Sequence, residues 1–369
     1  MARLLMLAND ESTIYNFRRE IVTSFVNGGH EVYISYPLGK NTAEIEALGC
    51  KVVSANVSRH GTSITDDLKY LIYCIKLIKE ISPDIVLTYT VKPNIYGSLA
   101  CQLTKTKYMN NITGLGTMLQ SQSLISKLIC FLEKIGLRKS FCVFFQNSDN
   151  RKQLIEKKVI SPKLPYQILP GSGVNLTLHK FETYPEDNDI TKFVIVSRIR
   201  EDKGFNEFFF MAEKIKKKYP DTEFHVVGWY EDDYYKDIID KLHGEGIIIY
   251  HGKKNPVEVH EILKNCHCLI HPSYHEGMAN VILEASATGR PVLASDIPGC
   301  IEGVDEDKTG FTFKVKDKAS LAEAVEKFID LPYAEKKNMG CAARIKMEKE
   351  FDRKFVAKIY LDKISDLKG

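Results

Sequence analysis

Short apolar runs alternate with amphipathic segments along almost the whole chain, and this rhythm constrains the fold more than any other feature. Residues 4–7, 31–36, 51–54 and 85–88 have the length and apolar character of strands. Residues 16–27, 42–48 and 65–81, which lie between them, carry apolar side chains at helical spacing. Gly28 with Gly29, and then Gly49, stand just past two of those helices, where glycine closes a last turn. The second half repeats the pattern. Strands are expected at 193–197, 223–227, 247–250, 268–271 and 291–294, and helices at 205–217, 234–242, 257–265, 279–288 and 320–331. Strands joined through helices pair in parallel, because the chain crosses back over the sheet before it pairs again. The expected class is α/β, with helices on both faces of parallel sheets.

A chain of 369 residues suits two such sheets better than one. The turn Gly171, Ser172 and Gly173, with the polar stretch 182–189, marks a linker. It predicts one Rossmann-like domain over 1–172 and a second over 173–352. Charge divides at the same place. Residues 1–172 hold 21 basic and 13 acidic side chains, net +8, and residues 173–369 hold 30 and 35, net −5. The total of +3 thus conceals two halves suited to different partners, and it excludes a dedicated nucleic-acid binder. Nine cysteines, odd in number and irregular in spacing, read as reduced thiols of a cytoplasmic protein rather than a disulfide framework. Residues 1–7 enter a strand at once, so a secretory leader is not expected.

The longest apolar stretch, 124–145, is interrupted by Lys127, Glu133, Lys134, Arg138 and Lys139 and does not read as a membrane span. Leu124, Leu128, Phe131, Leu132 and Ile135 fall at helical spacing, and residues 124–152 hold six basic and two acidic side chains. Two readings stay open: a helix packed on a sheet with a solvated polar face, or a basic amphipathic helix resting on an anionic bilayer.

Two Rossmann-like halves bind ligands at the carboxyl ends of their strands, in the crevice between them. A nicotinamide cofactor is not expected there. The first strand is followed by Ala8, Asn9, Asp10, Glu11 and Ser12, with none of the glycines that a dinucleotide pyrophosphate needs. The densest polar signal is the run His275, Glu276, Gly277, Met278, Ala279, Asn280, with Glu284 four residues further on. A helix beginning near Gly277 would turn its first amides toward phosphate or sugar oxygens. Glu276 and Glu284, eight apart, would then be separated by a rise of about 12 Å. That spacing serves two ends of one elongated ligand and is too wide for an acid–base pair on one glycosidic bond. The plainer alternative makes Glu276 a helix cap and Glu284 a solvated face. The second signal is Arg198 at a strand end, with Lys203 and Gly204 opening the next helix. Two fixed cations suit a diphosphate and stabilise its charge as it leaves, and Gly204 would let a ligand approach the backbone. A surface pair of cations is the alternative.

Together, Arg198 with Lys203 five residues on, and Glu276 with Glu284 eight on, resemble the family-4 retaining glycosyltransferases. Gly228 after Val226 and Val227, the turn His271, Pro272 and Ser273, the run 284–292, and Gly310 after Lys308 and Thr309 also match that pattern. The resemblance implies the GT-B fold: two Rossmann-like domains facing a cleft, with a last helix, about 353–367, crossing back to the N-terminal domain. It implies a UDP-sugar as donor substrate and no cofactor. Arg198, Lys203 and Glu276 would carry catalysis, the two cations on the diphosphate. Glu284 would take the ribose hydroxyls, and Glu276 with the amides of Gly277, Met278, Ala279 and Asn280 would orient the donor sugar. Gly204 and Gly228 would shape the donor site.

The N-terminal half is similar to enzymes that extend polyprenyl-diphosphate-linked sugars for O-antigen, capsule or protein glycosylation. The residues concerned are 88–97, with Lys92 and Asn94, and 111–116, with Gly114 and Gly116. This implies transfer of N-acetylgalactosamine or another galacto-configured sugar to a polyprenyl-diphosphate-linked saccharide. The enzyme would be cytoplasmic and peripheral at the inner membrane face, with no nucleic-acid partner. Asn9, Lys92, Asn94, Gly114 and Gly116 are the acceptor-side candidates. The chain departs from many relatives in lacking a glycine-rich loop after the first strand, and His60 reads as a loop residue rather than a catalytic one. Two rival readings are a nucleotide-sugar epimerase on the same plan and a non-catalytic nucleotide-sugar-binding subunit.

Cys266, His267, Cys268, His271 and His275 have the residue types of a metal site, but alternate residues of a strand point to opposite faces, so only part of the set converges. Asp66 with Asp67, and Asp232 with Asp233, open helices rather than ending strands. No metal is expected, and Arg198 with Lys203 would carry the leaving diphosphate.

Overall fold

The computed structural model describes residues 1–55, 64–115, 123–187 and 190–368. The chain divides into two units, Met1–Ser172 together with Arg353–Gly369, and Gly173–Asp352.

Unit 1 is built on a seven-stranded sheet of β1 (Arg3–Leu7), β2 (Glu31–Tyr36), β3 (Lys51–Ser54), β4 (Ile85–Tyr89), β5 (Lys107–Ile112), β6 (Cys142–Phe145) and β7 (Tyr166–Ile168). Their order across the sheet is β3-β2-β1-β4-β5-β6-β7. Every pairing is parallel. All five residues of β4 are buried, as a central strand covered by helices on both faces requires. Unit 2 carries six strands: β8 (Thr191–Val196), β9 (Thr222–Val227), β10 (Ile249–Tyr250), β11 (Cys268–His271), β12 (Val292–Ser295) and β13 (Gly310–Phe313). Their order is β10-β9-β8-β11-β12-β13, again all parallel.

Four of these strands, β5, β6, β7 and β13, go beyond the sequence expectation. β5 was hidden by its two adjacent asparagines, which a half-polar hexapeptide presents as loop. Both are buried inside the unit. Asn110 Nδ2 donates to Thr88 Oγ1 at 2.8 Å and to Ser98 Oγ at 2.7 Å. Asn111 Nδ2 donates to the Thr88 carbonyl at 3.1 Å, and its own carbonyl accepts from Asn94 Nδ2 at 3.0 Å. The helix expected at 16–27 is two helices, Glu11–Tyr15 and Arg19–Asn27. Asp10 ends the first strand loop by capping the former, its carboxylate accepting from the Ser12 amide at 2.7 Å.

The last helix, Arg353–Ser365, packs within unit 1. Its Tyr360 is buried against Phe25 and Phe144, and Arg353 pairs with Glu20 at 2.8 Å. With this segment included, unit 1 carries a net +11 and unit 2 a net −8, so the charge asymmetry is steeper in the fold than along the chain.

The helix Leu124–Leu137 is capped by Ser123, whose hydroxyl accepts from the Ser126 amide at 3.1 Å. It turns Leu124, Ile125, Leu128 and Phe131 outward, each more than half exposed, and Lys127, Lys134, Arg138 and Lys139 are exposed as well. Glu133 and Leu137 face the interior. No described helix is long and apolar enough to cross a membrane.

Candidate donor-sugar site

The strand order of unit 2 reverses between β8 and β11, and the loops that leave these two strands define its switch point. The first loop carries Arg198, Arg200 and Lys203, and the second carries Pro272, Ser273 and Glu276. The two are stitched together. The Tyr274 amide donates to the Asp202 carbonyl at 2.9 Å, and the Tyr274 hydroxyl donates to Glu207 at 2.7 Å. Gly204 adopts φ +72°, and a Cβ there would stand 2.0 Å from the Pro272 carbonyl oxygen. The approach of the neighbouring loop thus by itself requires glycine at 204. Gly228, after β9, is constrained in the same way, because a Cβ would stand 1.8 Å from the Ser197 carbonyl oxygen.

Lys203 is brought to Glu276. Its Nζ lies 2.6 Å from Glu276 Oε1 and 3.3 Å from Ser273 Oγ, and His271 Nε2 meets the same Oε1 at 3.0 Å. Burial alone would raise the Glu276 carboxyl. The Lys203 charge and the His271 hydrogen bond outweigh it and hold the group well below the usual carboxylate range. Arg198 lies in the same loop as Lys203 but uses a different partner. Its guanidinium donates to both oxygens of Glu231, at 3.0 and 3.1 Å, and Arg200 adds a third contact at 3.3 Å. Burial would raise the Glu231 carboxyl, and these arginines lower it. Each cation suited to a diphosphate therefore faces a carboxylate of its own.

The run after Glu276 differs from the expectation. The helix spans Asn280–Ala287, so it starts three residues after Gly277, with Ala279 as its N-cap and no side-chain capping bond. The Ala279 amide is taken by the Gly299 carbonyl at 2.8 Å, so it is not free for a sugar. Met278 and Ala279 are buried, Met278 against Val174, Leu283, Met347 and Phe351. Glu276 is not a helix cap, and the 12 Å estimate, which assumed one continuous helix to Glu284, does not apply. Asn280 Oδ1 is buried with no hydrogen-bond partner among the described residues. Glu284, in this helix, is partly exposed and stands 4.0 Å from His179 Nε2.

Among the described residues no group of three or more metal-ligating side chains is placed to hold an ion. His267 Nδ1 instead accepts from the Lys192 amide at 3.0 Å, and Cys266 and Cys268 are buried.

In unit 1 the order reverses between β1 and β4. Asn9 follows β1 and is nearly buried. Lys92 follows β4 and is paired with Asp67 at 2.7 Å, an oxygen pair completed by the Tyr96 hydroxyl at 2.8 Å. Asn94 is spent in the interior network with Thr88 and Asn111. Gly114 lies just beyond β5, while Gly116 and His60 lie outside the described residues. Sequence reasoning missed Glu231 and the pairing of Asp67 with Lys92. Position at a strand end was the available signal for Glu231, three residues past Gly228.

Two parallel-sheet Rossmann-like units, with cations and carboxylates gathered at the switch point of one, have the architecture of the GT-B fold. Residues 179–346 match the model of glycosyl transferases group 1, and residues 3–147 match that of glycosyl transferase 4-like proteins. The chain belongs to this glycosyltransferase family and is an enzyme of the transferase class. It is similar to the N,N'-diacetylbacillosaminyl-diphospho-undecaprenol alpha-1,3-N-acetylgalactosaminyltransferase of Campylobacter jejuni, at 25% identity over 97% of each chain. It is similar at 25% identity to the UDP-Gal:alpha-D-GlcNAc-diphosphoundecaprenol alpha-1,3-galactosyltransferase of Escherichia coli, over 73% of this chain and 72% of that one. Among solved structures, sucrose-phosphate synthase of Thermosynechococcus elongatus matches with a TM-score of 0.80 at 17% identity, over 100% and 99% of the two chains. HepE of Anabaena, solved with UDP and glucose, matches with a TM-score of 0.79 at 15% identity, over 99% and 100%. These two show the shared GT-B fold.

Proposed function

We propose that the chain transfers a sugar from a UDP-sugar, with retention of configuration, to a hydroxyl of a polyprenyl-diphosphate-linked saccharide. The observation that carries this reading is the set Arg198, Lys203 and Glu276 at the unit 2 switch point. The diphosphate exchanges places with the carboxylates that now neutralise the cations, and the cations stabilise the charge that develops on it. The sugar C1–phosphate oxygen bond breaks, the bond from C1 to the acceptor oxygen forms on the same face, and the acceptor proton passes to the departing diphosphate. No protein nucleophile and no metal is assigned. Glu284 takes the ribose hydroxyls and Glu276 orients the donor sugar. Both relatives named above are named for transfer to diphospho-undecaprenol-linked sugars, which supports the acceptor class. N-acetylgalactosamine or another galacto-configured sugar is the favoured donor.

The same reading places the enzyme at the inner membrane face. The outward stripe Leu124, Ile125, Leu128 and Phe131, bordered by Lys127, Lys134, Arg138 and Lys139, supports contact with an anionic bilayer. Vesicles containing anionic lipid are expected to float the protein at low salt, and charge reversal at Lys134, Arg138 and Lys139 is expected to release it. Failure to float would remove the membrane assignment.

The test of the chemistry is a donor screen read by UDP release and by mass spectrometry of the lipid product. Lys203→Ala and Glu284→Ala are each expected to abolish turnover in folded protein. Normal turnover in both would sink the site assignment. Conversion of UDP-sugar without acceptor would point back to an epimerase.

A further inference from the structure

The carboxyl edge of the unit 2 sheet continues outward beyond the two cations. In the order β10-β9-β8-β11, Glu276 follows β11, Arg198 and Lys203 follow β8, and the loops after β9 and β10 come next. Four neighbouring strands span about 14 Å at roughly 4.8 Å a step. An elongated ligand with its sugar at β11 and its diphosphate at β8 therefore runs its remaining end toward β9 and β10.

Trp229 stands there, two residues past β9. It is the single tryptophan of the chain, and 41% of it is exposed. Its backbone is pinned on both sides. The Trp229 carbonyl accepts from the Ile199 amide at 2.8 Å, and the Glu231 amide donates to the Ile199 carbonyl at 3.1 Å, which ties the loop to the one that carries Arg198. On the other side the Gly228 amide donates to the Gly252 carbonyl at 3.0 Å, and the Tyr250 hydroxyl donates to the Gly228 carbonyl at 3.1 Å.

The ring itself is used differently from the backbone. Among the described residues it joins none of the core clusters of unit 2. Lys253, from the loop after β10, holds its Nζ 4.8 Å from the ring centroid. An exposed tryptophan is by itself an ordinary surface feature. This one is placed between two ligand-bearing loops on a fixed backbone, and Glu231, two residues on, holds Arg198. A lysine on a flexible stem over an indole is a loose contact, and a flat aromatic base covers more of the ring than an ammonium does.

We propose that Trp229 is the platform on which the base of the donor nucleotide stacks, with Lys253 giving up its place over the ring. The inference rests on the nucleotide donor of the function proposed above and names a residue that recognises it. Arg198 and Lys203 then hold the diphosphate, and Trp229 distinguishes a nucleoside diphosphate from a bare one.

The experiment titrates the full chain with UDP, ADP, GDP and inorganic pyrophosphate, following Trp229 emission corrected against free tryptophan amide, with calorimetry in parallel. UDP is expected to quench the emission saturably, with a midpoint equal to the calorimetric Kd. Pyrophosphate, which has the charge and no base, is expected to bind without that quench. Trp229→Ala is expected to weaken UDP binding by at least about fivefold and to leave pyrophosphate binding within about twofold. Trp229→Phe keeps a flat ring and is expected to retain most of the UDP affinity. It also covers the case in which Trp229→Ala does not fold, because Trp229→Leu, of similar bulk and without a π face, is then expected to show the loss that Trp229→Phe does not. Calorimetric UDP binding without a quench, or equal UDP affinity in Trp229→Ala or Trp229→Leu, overturns the platform and leaves the functional reading standing. A quench by ADP or GDP and none by UDP would support the platform and replace the uracil of that reading. No binding of any of the three nucleotides would overturn the donor reading and the platform with it.

Discussion

Lys203 Nζ and His271 Nε2 converge on one oxygen, Glu276 Oε1, at 2.6 and 3.0 Å. Lys203 is itself buried, so the pair is screened little by water. Lys203→Met is expected to leave a poorly compensated carboxylate and to cost about 3–5 kcal/mol in urea unfolding without ligand. Adding Glu276→Gln removes that charge and is expected to restore part of the loss, with a coupling of about 1–3 kcal/mol across the double-mutant cycle. Additive losses would show that the contact is not energetically coupled.

Arg198 Nη1 donates to both oxygens of Glu231, so this carboxylate competes with a diphosphate for the guanidinium. Its removal therefore acts opposite to removal of the arginine. Glu231→Gln is expected to tighten UDP binding by roughly 3–10-fold, and Arg198→Ala to weaken it by at least about tenfold, measured by calorimetry. Weaker UDP binding in Glu231→Gln would mean that the carboxylate orients Arg198 for the ligand instead of competing with it.

The difference between Glu231 and Glu276 shows what the sequence could reveal. Arg198, Lys203, Glu276 and Glu284 are legible because each sits at a fixed count from a strand end, and the switch point then brings two of those ends together. Glu231 comes from a third loop, and nothing in local spacing says which loop will fold over Arg198. Asp67 is hidden for the same reason, since its link to Lys92 spans 25 residues. Asn94 shows what else the sequence conceals: it is an acceptor-side candidate, yet its side-chain amide is bonded to Thr88 and to the Asn111 carbonyl inside unit 1, which no local spacing reveals. The late start of the helix at Asn280 escapes sequence reading because the partner of the Ala279 amide, Gly299, is twenty residues away.

His267 is one imidazole through which acid lowers stability. Burial lowers its pKa from the ordinary 6.5 to about 4, and its Nδ1 accepts from the Lys192 amide, which a protonated ring cannot do. The unfolded chain therefore binds a proton between pH 6.5 and 4 that the folded chain refuses. Stability contributed by the neutral ring is present above 6.5 and is lost as the pH falls toward 4, by up to about 3 kcal/mol. His267→Gln is expected to flatten that decline in urea unfolding midpoints. An unchanged slope would assign the acid sensitivity to other groups.

Glu133 has the opposite sign. It lies on the inward side of the helix Leu124–Leu137, its Oε2 has no hydrogen-bond partner among the described residues, and burial raises its pKa from 4.5 to about 8. The folded state keeps the proton that the unfolded chain has released above pH 4.5. Stability is thus fully present below 4.5 and is lost as the pH rises through 8. Glu133→Gln supplies a permanently neutral group of the same shape. It is expected to leave stability near the wild type at pH 4.5 and to raise it by roughly 4 kcal/mol at pH 8. The outward stripe of the same helix is untouched, so vesicle flotation is expected to stay at the wild-type level. A variant less stable than the wild type at pH 8 would show that the carboxyl is ionised and held by a partner in the folded state.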